Sequence, residues 1–122
     1  MIIVANNMNG LSQKHLISTK DLSIEDISLI LERAKEFKKS PSAQPNLTGR
    51  NILSLFFEDS TRTRISFEMA TNNLGGNFVR WDVKNSSANK GEILQDTVLT
   101  LNAMKPDAII VRHSEYNAPY FV

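Results

Sequence analysis

Short strand-like runs alternate with helix-forming segments along most of this chain, and this alternation limits the possible folds more than any other feature. The runs occupy residues 51–57, 77–82 and 108–111, and the first and last are almost continuously apolar. Such runs are typical of strands buried on both faces. Residues at helical spacing fill 61–74 and 91–104 between them. The order predicts an α/β domain with a parallel sheet of at least three strands flanked by helices.

A further helix is predicted before the first strand. Ser23 is a good N-cap residue, and Glu25 and Asp26 follow in the first turn, where the helix dipole favours negative charge. Residues 1–14 show little pattern and predict an N-terminal arm, followed by one domain over 15–122. The helix is expected to bury a face made by Ile24, Ile27, Ile30, Leu31, Ala34 and Phe37.

The segment 61–74 is predicted to be a helix that ends at Gly75-Gly76, because glycine commonly follows the last helical residue. It is expected to bury its apolar residues against the sheet. These are Ile65, Phe67, Met69, Ala70 and Leu74.

Composition excludes several classes of protein. Fourteen basic and thirteen acidic side chains leave a net charge of +1, which argues against a nucleic acid or membrane partner held by bulk electrostatics. The chain has no cysteine, so a disulfide framework, a thiolate metal site and a thiol nucleophile are all excluded. No apolar run approaches the ~18 residues of a membrane span. A cytoplasmic protein is therefore expected.

Polar residues collect directly after each predicted strand, at the sheet edge where open α/β folds bind ligands. The three clusters are residues 58–64, residues 84–92 and Arg112-His113-Ser114.

The first cluster suits an anion. A helix N-terminus offers unpaired N–H groups and partial positive charge. Ser60, Thr61 and Thr63 add hydroxyl donors, and Arg62 adds a planar fork of N–H groups, so a phosphate monoester or acyl phosphate fits best. Alternatively, Ser60 or Thr61 simply caps the helix. Two arginines in a first turn oppose the helix dipole, which indicates a use for their charge.

The arginines and the histidine of these clusters have different expected roles. Arg64 is assigned a structural one, pairing with Glu58, Asp59 or Glu68. The glycine spacing of a nucleotide-binding loop is absent after the first strand. Arg112 ends a buried strand near the ligand edge, whereas His113 beside it is more often a hydrogen-bonded structural residue than a catalyst. Lys90 could be an ordinary solvated lysine.

Taken together, these motifs resemble the aspartate/ornithine carbamoyltransferase family. The resemblance runs from about residue 15 to near the end of the chain, and its combined motifs are very specific. Lys90-Gly-Glu92 and Arg112-His113 resemble the aspartate branch rather than the ornithine branch. The matching motifs are His15 to Leu22, Leu55-Phe-Phe-Glu58, Ser60-Thr-Arg-Thr-Arg64, Ile65-Ser-Phe-Glu68, Leu74-Gly-Gly76, Ser86-Ser87, Lys90-Gly-Glu92, Asp96-Thr97 and Asp107 to His113.

The resemblance implies a role for each matching residue. Ser60, Thr61, Arg62 and Thr63 would hold the phosphate of carbamoyl phosphate, with Thr63 also near the carbonyl oxygen. Arg112 would reach both groups. Ser86 and Lys90 would be lent to the active site of a neighbouring subunit in a homotrimer, and Glu58 and Glu92 would position the arginines and the loop.

The implied chemistry transfers the carbamoyl group to the amine of aspartate, in pyrimidine biosynthesis, with no metal, cofactor or covalent intermediate. Because the chain ends at Val122, the aspartate half is expected to be absent and turnover to be little or none. Two alternatives stay open. One is a non-catalytic module that binds carbamoyl phosphate or assembles with a partner, and the other is an ornithine-type enzyme.

Two residues depart from the family pattern. Asp59 stands where a small residue or proline is usual, which places an acid beside the expected phosphate site. Ser114 replaces the usual proline after Arg112-His113, which is expected to loosen that loop.

Overall fold

The structure, a computed structural model, describes the backbone of residues 2–4 and the segments 10–40, 46–81 and 94–122. Five strands in this part of the chain form one sheet. They are β1 (Ile2–Val4), β2 (His15–Leu16), β3 (Asn51–Phe56), β4 (Asn77–Trp81) and β5 (Ala108–Arg112). The helices are α1 (Ile24–Lys39), α2 (Thr61–Asn73) and α3 (Leu94–Ala103), with short 3-10 turns at Thr19–Asp21 and Ala118–Phe121.

The predicted parallel sheet is confirmed. The strand order is β2-β1-β5-β3-β4, and β3 is parallel to both β4 and β5. Thus the first parallel strand lies between the second and the third, as in doubly wound sheets of the flavodoxin type. Two short antiparallel strands, which the sequence pattern did not predict, extend the sheet beyond β5.

The two faces of the sheet bury different helices. On one face, Ile52, Phe56, Ala108 and Ile110 pack against Phe67 of α2. On the other face, the cluster is made by Leu53, Leu55, Ile109 and Val111 of the strands with Val98 and Leu101 of α3. Because successive strand residues point to opposite faces, one apolar run supplies both cores.

Helix α1 begins where the sequence predicted. The Ser23 hydroxyl accepts the Asp26 N–H at 3.0 Å, and the Asp26 carboxylate accepts the Ser23 N–H at 3.0 Å, which completes a capping box. The same carboxylate accepts the N–H of Ser12 at 2.8 Å, so it ties the segment before the helix to its first turn. These donors stabilise a carboxylate that is only 2% exposed.

Helix α2 ends as predicted but faces the sheet differently. Gly75 has a φ of +76°, the left-handed conformation that favours glycine after a helix. The expectation that Ile65, Met69 and Ala70 are buried was wrong, since Ile65 and Met69 are 44% and 59% exposed and Ala70 is exposed as well. Phe67, which was expected to be buried, packs against the sheet, and the buried Thr71 one turn later donates its hydroxyl to the Phe67 carbonyl.

Helix α1 also leaves much of its apolar face uncovered. Ile24, Ile27 and Leu31 are 79%, 42% and 56% exposed, so the expectation that they are buried was wrong as well.

In the described part of the chain, no helix is long and apolar enough to cross a membrane. The division into an arm over 1–14 and a domain from 15 stays a prediction.

Candidate functional site

The site lies at the carboxyl ends of β3 and β5, which are neighbours in the sheet. Their register pairs Phe56 with Arg112, so both strands end at the same level. The chain passes from β3 to β4 on one side and then crosses back to β5 on the other, so the strand order reverses between β3 and β5. A crevice is expected at the carboxyl ends of the strands where the order reverses, and this position is the usual ligand site of a doubly wound sheet.

Helix α2 begins at this crevice. Its first intrahelical bond joins the Arg64 N–H to the Ser60 carbonyl at 3.1 Å. The N–H groups of Thr61, Arg62 and Thr63 precede that bond and so have no acceptor within the helix. Thr61 and Arg62 are exposed, while Ser60 and Thr63 are half-buried. The helix start therefore presents amides, hydroxyls and a guanidinium together, as the sequence predicted for an anion site.

Ser60 occupies the N-cap position of α2 without acting as a cap. Within the described residues, its side chain makes no capping hydrogen bond, unlike that of Ser23 on α1. The alternative that Ser60 is present to cap the helix is therefore not supported. Because the Ser60 hydroxyl does not cap the helix, it can donate to a bound anion.

Arg112, the last residue of β5, faces the segment that follows β3. Its Nε lies 3.3 Å from Oε2 of Glu58, and the two side chains are 44% and 33% exposed. The Arg112 carbonyl also accepts the Phe57 N–H at 2.9 Å. Arg112 is thus held at both its backbone and its side chain next to the entrance of α2.

Two of the carboxylates expected to pair with Arg64 are paired with other arginines. Among the described residues, Glu58 pairs with Arg112 and Glu68 pairs with Arg80, and no ion pair joins either carboxylate to Arg64. The expected pairing with Glu58 or Glu68 was therefore wrong. The reason is that Arg112 and Arg80 reach these carboxylates from neighbouring strands, which a local reading of the sequence does not reveal.

An aromatic row across the strand ends was missed by the sequence analysis. The Phe57 ring lies between Trp81, with centroids 5.3 Å apart, and His113, with centroids 4.7 Å apart. These three residues end β4 or directly follow β3 and β5. The signal that could have revealed the row is an aromatic residue at the carboxyl end of every parallel strand.

His113 is hydrogen-bonded, as the sequence analysis favoured. Its Nδ1 accepts the N–H of Glu115 at 2.9 Å. The Glu115 carbonyl in turn accepts the N–H of Ala118, which is 2% exposed. These bonds hold the loop that contains Ser114, although the family's usual proline is absent there.

The second polar cluster, residues 84–92, was predicted to lie at the same sheet edge. Ser86, Lys90 and Glu92 lie outside the described residues. The described ranges contain no group of three or more His, Asp or Glu side chains that could hold a metal ion.

An apolar hollow lies elsewhere among the described residues. A groove of about 490 Å³ lies between residues 16–22, helix α1 and Phe67, and hydroxyls at Ser18 and Thr19 are its main polar groups. Leucines and isoleucines line the rest, including Leu16, Leu22, Ile27 and Leu31. No cation lines this groove, so a phosphate is better matched by the crevice at the strand ends.

Comparisons with known proteins agree with this geometry. A family model for the carbamoyl-P binding domain of aspartate/ornithine carbamoyltransferases matches residues 14–121. The aspartate carbamoyltransferase catalytic subunit of Streptomyces griseus is 47% identical over 112 residues, covering 88% of this chain and 34% of that protein. The corresponding subunit of Bartonella henselae is 49% identical over 105 residues, covering 83% and 33%.

Solved structures show the same fold. The aspartate transcarbamoylase of Trypanosoma cruzi in complex with carbamoyl phosphate and aspartate superposes with a TM-score of 0.78 at 37% identity. That match covers 87% of this chain and 36% of the other. The catalytic subunit of the M. jannaschii enzyme gives 0.73 at 37% identity, covering 89% and 38%. The chain thus spans about a third of the length of the relatives it matches.

Proposed function

The chain belongs to the aspartate/ornithine carbamoyltransferase family, and from that premise we propose that its crevice binds carbamoyl phosphate for transfer of the carbamoyl group to aspartate. The observation that carries the proposal is the register of β3 and β5. It brings Arg112 to the segment that leads from β3 into α2, and at the start of that helix three amides lack helical acceptors.

In this proposal the phosphate lies on the helix start. The N–H groups of Thr61, Arg62 and Thr63 point toward it, and the partial positive charge of the helix end favours it. Ser60 donates its hydroxyl, which is not engaged as a cap, and Arg62 adds charge-assisted hydrogen bonds. Each of these groups is a donor, as an acyl phosphate with several acceptor oxygens requires.

Arg112 and Thr63 act on the carbamoyl carbonyl. The amine nitrogen of aspartate attacks the carbamoyl carbon and forms a C–N bond, and a negative charge develops on the carbonyl oxygen. The bond from carbon to the phosphate oxygen then breaks, phosphate leaves with the electron pair, and the amine loses a proton. Fixed donors stabilise this oxyanion because they need no reorganisation during the reaction.

Arg112 is paired with Glu58 in the present structure. A bound phosphate therefore competes with the Glu58 carboxylate for the guanidinium. Because the pair is partly exposed and its Nε–Oε2 distance is 3.3 Å, the competition costs little. Glu58 orients the guanidinium toward the crevice before the substrate arrives.

The remaining partners follow from the family. Ser86 and Lys90 serve the active site of a neighbouring subunit, and the whole protein is a homotrimer of the aspartate branch. The Trypanosoma cruzi relative was solved with both carbamoyl phosphate and aspartate, which supports this choice of substrates. The product is N-carbamoyl-aspartate, a pyrimidine precursor, made in the cytoplasm.

Calorimetric titration with carbamoyl phosphate tests the proposal. Wild-type protein should release heat on binding, and Arg62→Ala should bind about tenfold more weakly or not at all, because a charge-assisted contact is lost. Arg33→Ala is the matched control. It removes an arginine that is 58% exposed and pairs with Glu36 on α1, away from the strand ends.

Three outcomes separate the possibilities. Weak binding by Arg62→Ala with normal binding by Arg33→Ala supports the site. Equal heats from wild type and Arg62→Ala contradict it. Binding that depends on Arg62, but without carbamoyl-aspartate formed when aspartate is added, retains the binding site and assigns this chain a non-catalytic role.

A further inference from the structure

The residue after Arg112 is a histidine, and one of its ring nitrogens already accepts a hydrogen bond. His113 Nδ1 accepts the Glu115 N–H at 2.9 Å, so it carries no proton in this arrangement, and in the neutral ring the proton lies on Nε2. The bond also fixes the ring plane relative to the turn that leaves β5. This geometry is unsuited to a base that takes up a proton at Nδ1, since protonation there would break the bond.

The fixed ring contacts the segment that leaves β3. Its centroid is 4.7 Å from that of Phe57, with the planes at 53°, which is within the range of favourable tilted ring pairs. The Phe57 N–H donates to the carbonyl of Arg112 at 2.9 Å, and Glu58, the next residue, contacts the Arg112 guanidinium. Two side-chain contacts and one backbone bond therefore join the two strand ends.

We propose that His113 is a positioning residue for the anion site, acting through the Nδ1 bond that fixes the turn directly after Arg112. It holds the Arg112 guanidinium beside Glu58, in the segment that leads into α2. The inference rests on the proposed function, because the guanidinium is positioned there for the carbamoyl phosphate oxygens. His113 itself need not contact the ligand.

Two substitutions of His113 separate the effect of the hydrogen bond at Nδ1 from the effect of losing the ring. In His113→Asn the amide oxygen can take the place of Nδ1 and keep the bond from Glu115, whereas in His113→Gln the amide reaches the Nε2 position instead. Both variants lose the ring equally. We expect His113→Asn to bind carbamoyl phosphate within about threefold of wild type and His113→Gln about tenfold more weakly.

Calorimetry measures these affinities, and thermal unfolding of each variant shows whether it is folded. Partial rescue by asparagine but not glutamine supports positioning through Nδ1. Equal affinity of the two folded variants overturns the proposal. A wild type that does not bind carbamoyl phosphate refutes the proposed function instead, and binding that depends on Arg62 but not on the residue at 113 refutes only the positioning role.

A spectroscopic measurement on the wild type needs no variant. The sequence contains two histidines, His15 and His113, so nitrogen NMR of the 15N-labelled protein resolves few imidazole signals. In the neutral His113 ring the proton should lie on Nε2 and not on Nδ1, both before and after carbamoyl phosphate is added. A protonated Nδ1 in the neutral ring would contradict the hydrogen bond on which the inference depends.

Discussion

The Nε of Arg112 lies 3.3 Å from Oε2 of Glu58, so the cation that ends β5 is paired with the carboxylate that follows β3. Such a pair does two things to a nearby anion site. It orients the guanidinium, and it places a negative charge where an anion is expected to bind. Amide and alanine substitutions of Glu58 separate these two effects.

Glu58→Gln should strengthen carbamoyl phosphate binding about two- to threefold, because the repulsion is removed while an oxygen still accepts from Arg112. Glu58→Ala should bind more weakly than Glu58→Gln, because the guanidinium loses its partner. Titration calorimetry at one ionic strength compares the three proteins. Weaker binding by Glu58→Gln than by wild type would show that the charge of Glu58, and not its hydrogen bond, organises the site.

Ser60 and Ser23 both precede a helix, yet they should respond to alanine in opposite ways. Ser23 caps α1, so Ser23→Ala should lower the free energy of unfolding by about 1 kcal/mol and leave anion binding unchanged. Ser60→Ala should leave stability almost unchanged but weaken carbamoyl phosphate binding about three- to tenfold. Denaturant unfolding and calorimetry on both variants test the contrast. A stability loss in Ser60→Ala like that of Ser23→Ala would restore the capping interpretation.

Asp59 adjoins Ser60 and is exposed. Its charge should repel a phosphate at the helix start, so Asp59→Ser should raise the affinity for carbamoyl phosphate about two- to threefold at low ionic strength. The gain should shrink as added salt screens the charge. Asp21→Ser, on the Thr19–Asp21 turn, makes the same change in net charge and should have little effect. A loss of affinity in Asp59→Ser would indicate that Asp59 shapes the site.

Asp107 connects the starts of β3 and β5. The Asn51 N–H donates to its carboxylate at 2.9 Å, the Arg50 guanidinium lies 2.6 Å from it, and together they lower the pKa of Asp107 below its ordinary value of 3.8. Because the folded pKa is lowered, the stability from this carboxylate is present above about pH 4. It is lost as pH falls through the ordinary value toward the folded one.

Asp107→Asn should therefore lower the free energy of unfolding by about 1 kcal/mol at pH 7, and this difference from wild type should shrink toward pH 3. The pKa of Asp26 is also lowered, mainly by hydrogen bonds from Ser12, but it contributes equally to both proteins. Glu36→Gln, which removes an exposed ion pair, is the control and should cost no more than about 0.5 kcal/mol. Urea unfolding across this pH range measures each value. A constant difference between wild type and Asp107→Asn would contradict the titration of Asp107.

Features set by local chemistry were predictable from the sequence. The start of α1 at Ser23 follows from a capping box contained in four residues, and the end of α2 follows from Gly75 in the left-handed conformation. The strands β3 and β5 were predicted because residues buried on both faces must be almost continuously apolar. The cluster of donors at the helix start after Ser60 was also predictable, because its hydroxyls and arginines are neighbours in the chain.

Features set by contacts distant in sequence were not predictable. Glu58 could have paired with any nearby arginine, and the register of β3 with β5 selects Arg112. The contact of Phe57 with Trp81 and His113 also depends on that register. The exposure of Ile65 and Met69 depends on how α2 is rotated against the sheet, which an irregular apolar pattern leaves undetermined.

The pairing of β1 with β5 has a consequence for the order in which the protein can form. Ile2 lies opposite Ile110, so β1 has a partner strand that is far away in the sequence. During translation, residues 2–4 can close this part of the ladder only after β5 has been made. Contacts so far apart in sequence form slowly, because a long loop must close first. The parallel strands can assemble earlier, and the N-terminal edge of the sheet should be the last part to become protected from hydrogen exchange during refolding.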